Sequence, residues 1–367
     1  MTISPGERVV PTAVPTAVPT VVPTGATAAA PERGAEDELR RCVERIVAER
    51  AGGRSAVVAV ERRRSDEASS YGADVLTVRL AGGGELELFL KDFGFSRLRK
   101  DEPVRQRDRE LRVYRELLAD PALGTARYEG CLWDESRERY WLFLEHVRGT
   151  PLAYLGFEYW IAAAGWLARL QHHVAERASG LGASSDVLLR HDAAFYWSTA
   201  RLALAATWTV SATLGDRLSG ALTYYDRCVD AMMAAGPPTL VHGAYKPRHV
   251  LVDTTREPRR LCPVDWELAA VGSPLYDLAF LAYGYDAEYV ALLLDEYGRE
   301  ASAHGMALPP REQMRHAVDC FRLHRILKVL GGAERRTLAE PTVAMLVDSA
   351  ERLAGLVCRH VSTRADA

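Results

Sequence analysis

The sequence lacks any run of about 18 apolar residues, so no membrane-spanning helix is expected. It also lacks an excess of one charge: 46 Lys and Arg stand against 49 Asp and Glu, a net charge of −3. No global basic field is available for nucleic acid or an anionic membrane. The Arg62–Arg63–Arg64 triplet has mixed charge on both sides and reads as a solvated turn. The six cysteines show no CxxC spacing, which removes the usual zinc frameworks. In a chain of 367 residues they read as reduced thiols of a cytoplasmic protein. Near the start, PTAVPTAVPTVVPT (11–24) has proline at every fourth position. That spacing forbids a helix and interrupts the apolar core a signal peptide needs. Residues 1–35 are therefore expected to be a disordered, solvated tail. His172 and His173 lack the H-E-x-x-H order of a helical zinc site and are read as surface or packing residues.

What is present is a change of character along the chain. Residues 36–50 carry Leu39, Cys42, Ile46 and Val47 at helical spacing, with acidic residues first. Three strand-like runs follow, SAVVAVERR, DVLTVRLAG and ELELFLKDF, the last two joined by the turn Gly82–Gly84. A charged helix is expected over about 103–119 and a strand over 139–147. After Gly149 long amphipathic helices are expected at about 157–178, 192–213, 215–235, 286–303 and 310–330, with Trp160 and Trp166 in the core. The fold class is α+β: an N-terminal sheet lobe over 36–147 and a helical lobe over 148–367.

Four segments carry chemistry. Lys91 ends the third strand in LFLKDF, and Glu110 lies in the helix after it. The loop VHGAYKPRHVLVD spans 241–253. CPVDWELAAVGSPLYDLAFL (262–281) places Asp265 after an apolar strand, 16 residues beyond His249. A strand lysine paired with a helix glutamate, then a His-Gly loop, then an Asp after a strand is the order that phosphoryl transfer to a hydroxyl uses.

On these segments the chain resembles the aminoglycoside phosphotransferase family, within the bilobal protein-kinase-like fold. His242–Gly243, Asp265–Trp266–Glu267, GSPLYDLA with Asp277, RELRVYREL (109–117) and YWLFLEHVRGTPL (140–152) carry it, over about residues 55–300. The resemblance implies that Lys91 contacts ATP phosphates and that Glu110 orients it. It implies that Asp265 ligates Mg²⁺, and that the backbone around Leu144–Val147, including Glu145 and Val147, receives adenine. His242 and Asp277 would hold the loop in shape.

Three departures qualify these roles. Ala244 stands where the family has an aspartate that orients the acceptor hydroxyl. A positioned base of that kind contributes about 10²–10⁴ in rate. His249 stands where the family has asparagine, and imidazole suits Mn²⁺ better than Mg²⁺. The turn SDEASSYGAD (65–74) has no G-x-G-x-x-G, which leaves Ser69, Ser70 and Gly72 to offer backbone N–H groups to phosphate. Lys246 reads either as an electrostatic catalyst for the transferring phosphoryl group or as a solvent-facing loop lysine. Asp286, Glu288, Asp295, Glu296 and Glu300 form an acidic helix that suits a cationic acceptor or simply faces water. Two functions remain in view. One is an ATP-dependent kinase for a small-molecule or peptide acceptor; the other is a pseudokinase that binds nucleotide or peptide and supports a partner protein.

Overall fold

The computed structural model describes residues 33–53, 56–65, 71–96, 107–178, 187–332 and 338–365. Helix α1 (Arg33–Ala51) is followed by β1 (Val57–Arg64), β2 (Tyr71–Leu80) and β3 (Glu85–Ser96). The β2–β3 turn closes as the glycines imply, with Gly83 at φ +84° and its N–H donating to Leu80 O at 3.0 Å. Next come α2 (Asp108–Arg112), which continues as a π-helical turn over Val113–Leu117, then β4 (Tyr128–Asp134) and β5 (Arg139–Glu145). These strands form one antiparallel sheet in the order β1-β2-β3-β5-β4. Both faces of it are covered. Along β5 the side chains alternate: Trp141 and Phe143 pack with α1, while Tyr140, Leu142 and Leu144 join the larger core with α2.

The chain then passes through β6 (Thr150–Pro151) into α3 (Phe157–Ala178), β7 (Leu189–Arg190), α4 (Ala193–Val210), α5 (Ala212–Ala221) and α6 (Tyr225–Met233). Strands β8 (Thr239–Val241), β9 (Val250–Asp253), β10 (Arg260–Pro263) and β11 (Ala270–Gly272) bracket the two motif segments. Helices α7 (Tyr276–Leu281), α8 (Ala287–Ala303), α9 (Arg311–Leu330) and α10 (Glu340–Ala365) complete the helical lobe. Two small sheets, β10-β9-β6 and β7-β11-β8, hold the motif segments. Trp160 and Trp166 are buried, as expected.

The expected helices over 192–213 and 215–235 are divided differently. Ser211 adopts an extended backbone, φ −160° and ψ 124°, and splits α4 from α5, while residues 222–224 separate α5 from α6. Among the described residues, no helix is long and apolar enough to cross a membrane. Ser69, Ser70 and most of the 1–35 tail lie outside the described residues.

Candidate active site

The pleat of β3 turns Lys91 toward α2, with Ala73 and Leu142 as its neighbours on the adjacent strands. Its Nζ donates to Glu110 Oε2 at 2.6 Å and to Asp265 Oδ1 at 2.7 Å. The rings of Tyr71 and Phe93 lie 5.7 and 5.4 Å from the ammonium. Burial alone would lower the Lys91 pKa, but Asp265 and Glu110 outweigh it and push it up. For Asp265 burial acts upward, yet the charge of Lys91 brings its carboxyl down. Glu110, enclosed and facing the charge of Asp265, is raised by burial to about 7 despite Lys91. One ammonium thus serves two carboxylates, Glu110 buried and Asp265 half-buried, an arrangement that favours further positive charge at the site.

Asp265 adopts the left-handed conformation, φ 69° and ψ 63°, uncommon for a residue with a side chain. A single turn of 3₁₀ helix, Trp266–Leu268, follows it. Trp266 N donates to Glu110 Oε1 at 3.3 Å. Arg109, which the sequence reading passed over, donates to Glu267 O at 2.9 Å from a fully buried position. In sequence it is one charge in a charged helix, and nothing there marked it.

The loop between β8 and β9 is built around Asp277 at the start of α7. Its carboxylate accepts the N–H groups of His242 at 2.6 Å and Gly243 at 3.0 Å. Burial raises this carboxyl to about 7, against the pull of both donors. Gly243 has φ +77°, and a Cβ there would sit 2.0 Å from Leu268 O, so only glycine fits. His242 accepts the Ala244 N–H at Nδ1 (3.3 Å) and so donates from Nε2 to Val264 O at 3.0 Å. Burial holds it neutral, with its pKa lowered to about 3. Tyr245 is anchored on α3, donating to Ala163 O at 3.1 Å and stacking on Trp166.

Ala244 is buried, and its carbonyl accepts Lys246 N at 2.6 Å and His249 Nδ1 at 3.1 Å. The carbonyl fixes which imidazole nitrogen carries the proton. His249 Nε2 then faces Asp265 Oδ2 at 3.9 Å with its lone pair. That gap is too long for a hydrogen bond. Burial lowers the His249 pKa, so the ring is neutral. Among the described residues no three His, Cys, Asp or Glu side chains cluster as a metal cage. The Asp265 oxygen, with open positions beside it, fits a divalent ion that keeps water and phosphate ligands, as Mg²⁺ does, while a His249 nitrogen in the same set suits Mn²⁺ better. Lys246 is half-buried and opens the 3₁₀ turn Pro247–His249.

The structure therefore brings Lys91, Glu110, Asp265 and His249 together, with Lys246 three residues before His249. The Glu145 carboxylate points elsewhere: it takes a two-pronged ion pair from Arg260 at 2.7 and 2.9 Å. Val147 follows in the segment 146–149 between β5 and β6. On the acidic helix, Asp295 pairs with Arg311, Glu296 with Arg299, and Glu300 with both Arg299 and Arg169. His173 lies 3.3 Å from Asp120, and His172 stacks on His304.

Solved structures resemble this arrangement across most of the chain. The GDP complex of wild-type aminoglycoside 2′-phosphotransferase-IIIa superposes with a TM-score of 0.52 at 14% identity, covering 87% of this chain and 99% of that one. A macrolide 2′-phosphotransferase from Brachybacterium faecium gives 0.50 at 20% identity, covering 84% and 96%. Choline kinase from Cryptosporidium parvum Iowa II gives 0.52 at 9% identity, covering 83% and 91%. At these identities the likeness is one of fold, the bilobal kinase-like fold. No curated protein matches the chain. The phosphotransferase enzyme family model, however, matches residues 68–316, well over half the length and inclusive of every segment that builds the site, and the chain belongs to that family.

Proposed function

We propose that the chain is a nucleotide-dependent phosphotransferase, using ATP with Mg²⁺ or Mn²⁺ to phosphorylate a hydroxyl of a small molecule or a Ser/Thr-containing peptide. The observation that carries this reading is Lys91, buried and held by Glu110 and Asp265 together. A lysine so placed presents one positive charge where phosphate oxygens arrive. Asp265 and His249 would hold the divalent ion, which when bound neutralises phosphate charge. Lys246 would lie against the transferring group. The backbone near Val147 would meet the base, and Ser69 and Ser70 the phosphates. With no carboxylate at position 244, the acceptor proton is left to the acceptor itself or to solvent. Phosphoryl transfer tolerates this because positioning and charge neutralisation supply most of the rate. The six free thiols support a cytoplasmic setting.

Buried Ala244 favours a second reading, a pseudokinase that binds nucleotide or peptide and supports a partner protein. Thermal unfolding separates the cases in stages. ATP or GTP with Mg²⁺ or Mn²⁺ should stabilise the wild-type chain by about 2.7 kcal/mol at a hundredfold excess over Kd. Lys91→Ala should remove that stabilisation. No shift at millimolar nucleotide with either ion would sink both nucleotide readings. A shift without single-turnover transfer to any of a panel of hydroxylated compounds and peptides would leave the pseudokinase.

A further inference from the structure

Arg109 joins three parts of the chain that are far apart in sequence. It stands on α2, one residue before Glu110, and is 2% exposed. Its Nε donates to Val187 O at 2.6 Å, in the segment that leads to β7. Its Nη1 donates to Glu267 O at 2.9 Å, two residues past Asp265. Glu110 grips the same turn, accepting Trp266 N. Consecutive residues of α2 thus hold the peptide groups just after Asp265, one as donor and one as acceptor. Asp265 is left-handed, a conformation that persists only where the surroundings impose it. A guanidinium is the side chain for this task, because its planar fork reaches two carbonyls at fixed angles while a lysine ammonium is a single point.

We propose that Arg109 is a positioning residue that fastens the Glu110 turn of α2 to the Asp265 turn, so that the two carboxylates flanking Lys91 move as one body. The consequence for ligand binding rests on the nucleotide reading above; the mechanical coupling does not. Loss of the clamp frees Asp265 to leave its left-handed state, and with it the geometry that Lys91 and His249 face.

Hydrogen exchange read by mass spectrometry tests the coupling without any ligand. In low denaturant, segments 107–117 and 262–269 of the wild-type chain should open with a single free energy, as one cooperative unit. In Arg109→Lys, segment 262–269 should exchange roughly tenfold faster than in wild type, ahead of 107–117, while a segment of α10 is unchanged. Nucleotide Kd, from titrated thermal shifts, should rise by about tenfold in the same variant. Unchanged exchange over 262–269 overturns the proposal whether or not nucleotide binds. Faster exchange with unaltered nucleotide affinity supports the coupling and overturns its consequence for ligand binding. Should Arg109→Lys fail to fold, separate opening of the two segments in the wild-type chain overturns it. A wild-type chain that opens both segments together but binds no nucleotide supports the coupling and removes only the functional reading.

Discussion

The imidazole of His191 stacks on Phe195 with ring centroids 4.2 Å apart and lies 4.3 Å from the ring of Tyr276. It is fully enclosed, and among the described residues its Nδ1 has no hydrogen-bond partner. Burial, then Lys328 and His324 on α9, lower its pKa well below the usual value. A base whose folded pKa is depressed is neutral in the fold but protonates in the unfolded chain below about pH 6.5. Its contribution is therefore intact above pH 6.5 and lost as pH falls from there toward the folded pKa. His191→Phe keeps the stack and removes the titration. From pH 8 to pH 5 the wild type should lose stability relative to the variant, with the loss setting in below about pH 6.5. Urea titrations of both proteins at the two pH values give the difference. A pH-independent difference would mean that His191 finds a proton acceptor in the fold. At this scale legibility was uneven. Lys91, Glu110, Asp265 and His249 could be read because each occupies a fixed place in a spaced motif. Arg109 and the Glu145 pairing could not, since only tertiary burial distinguishes a clamp from a surface charge.

Among the elements, α1 shows how a face pattern becomes a packed layer. Leu39, Cys42, Val43, Ile46 and Val47 are buried against Leu76, Val78, Leu88, Leu90, Trp141 and Phe143 on the sheet face opposite Lys91. Gly130 of β4 allows the approach: a Cβ there would lie 3.0 Å from Ile46 Cγ1. Ile46→Ala should cost about 2–5 kcal/mol in urea, through lost transfer energy and the cavity left behind. Any nucleotide-induced shift should survive, because the site is on the other face. A cost under about 0.5 kcal/mol, the level of an ordinary surface substitution, would mean that α1 does not cover the sheet in solution. Period and punctuation made α1, α3, α8, α9 and the three first strands legible, to within a few residues. They misplaced the breaks across 192–235 because AAFYWSTARLALAATWTV is apolar nearly all round and shows no boundary of its own. β4 was missed, as were β6, β7 and β11, which are two or three residues long and too short for a period to show.

For the whole molecule, the change after Gly149 foretold a sheet lobe and a helical lobe, but not what fastens them. Arg260 on β10 does much of this. Its Nε donates to Gly124 O at 2.8 Å, and its Nη2 to Thr125 O at 2.8 Å. Both Nη groups also hold the Glu145 carboxylate at the end of β5. In sequence the residue sits in EPRRLC and looks like a basic turn. Burial raises the Glu145 pKa, but Arg260 and the Arg127 N–H outweigh it and the net shift is downward. The pair therefore stabilises the fold above the unfolded carboxylate pKa, and the gain fades as pH drops through the lower, folded value. The partners are only 14% and 22% exposed, so the interaction is less screened than a surface pair. Arg260→Ala should cost about 2–4 kcal/mol at neutral pH, because two carbonyls and a carboxylate lose a charged donor. Adding Glu145→Gln to it should cost less than the sum of the singles, with a coupling of about 0.5–3 kcal/mol. With the clamp gone, the lobes should also part company in urea. Hydrogen exchange over β2–β3 and over α9 should then report separate midpoints, where the wild type has one. A single shared midpoint and a loss below about 0.5 kcal/mol would show that the lobes are held by the Lys91–Asp265 and Arg109–Glu267 contacts without help from Arg260.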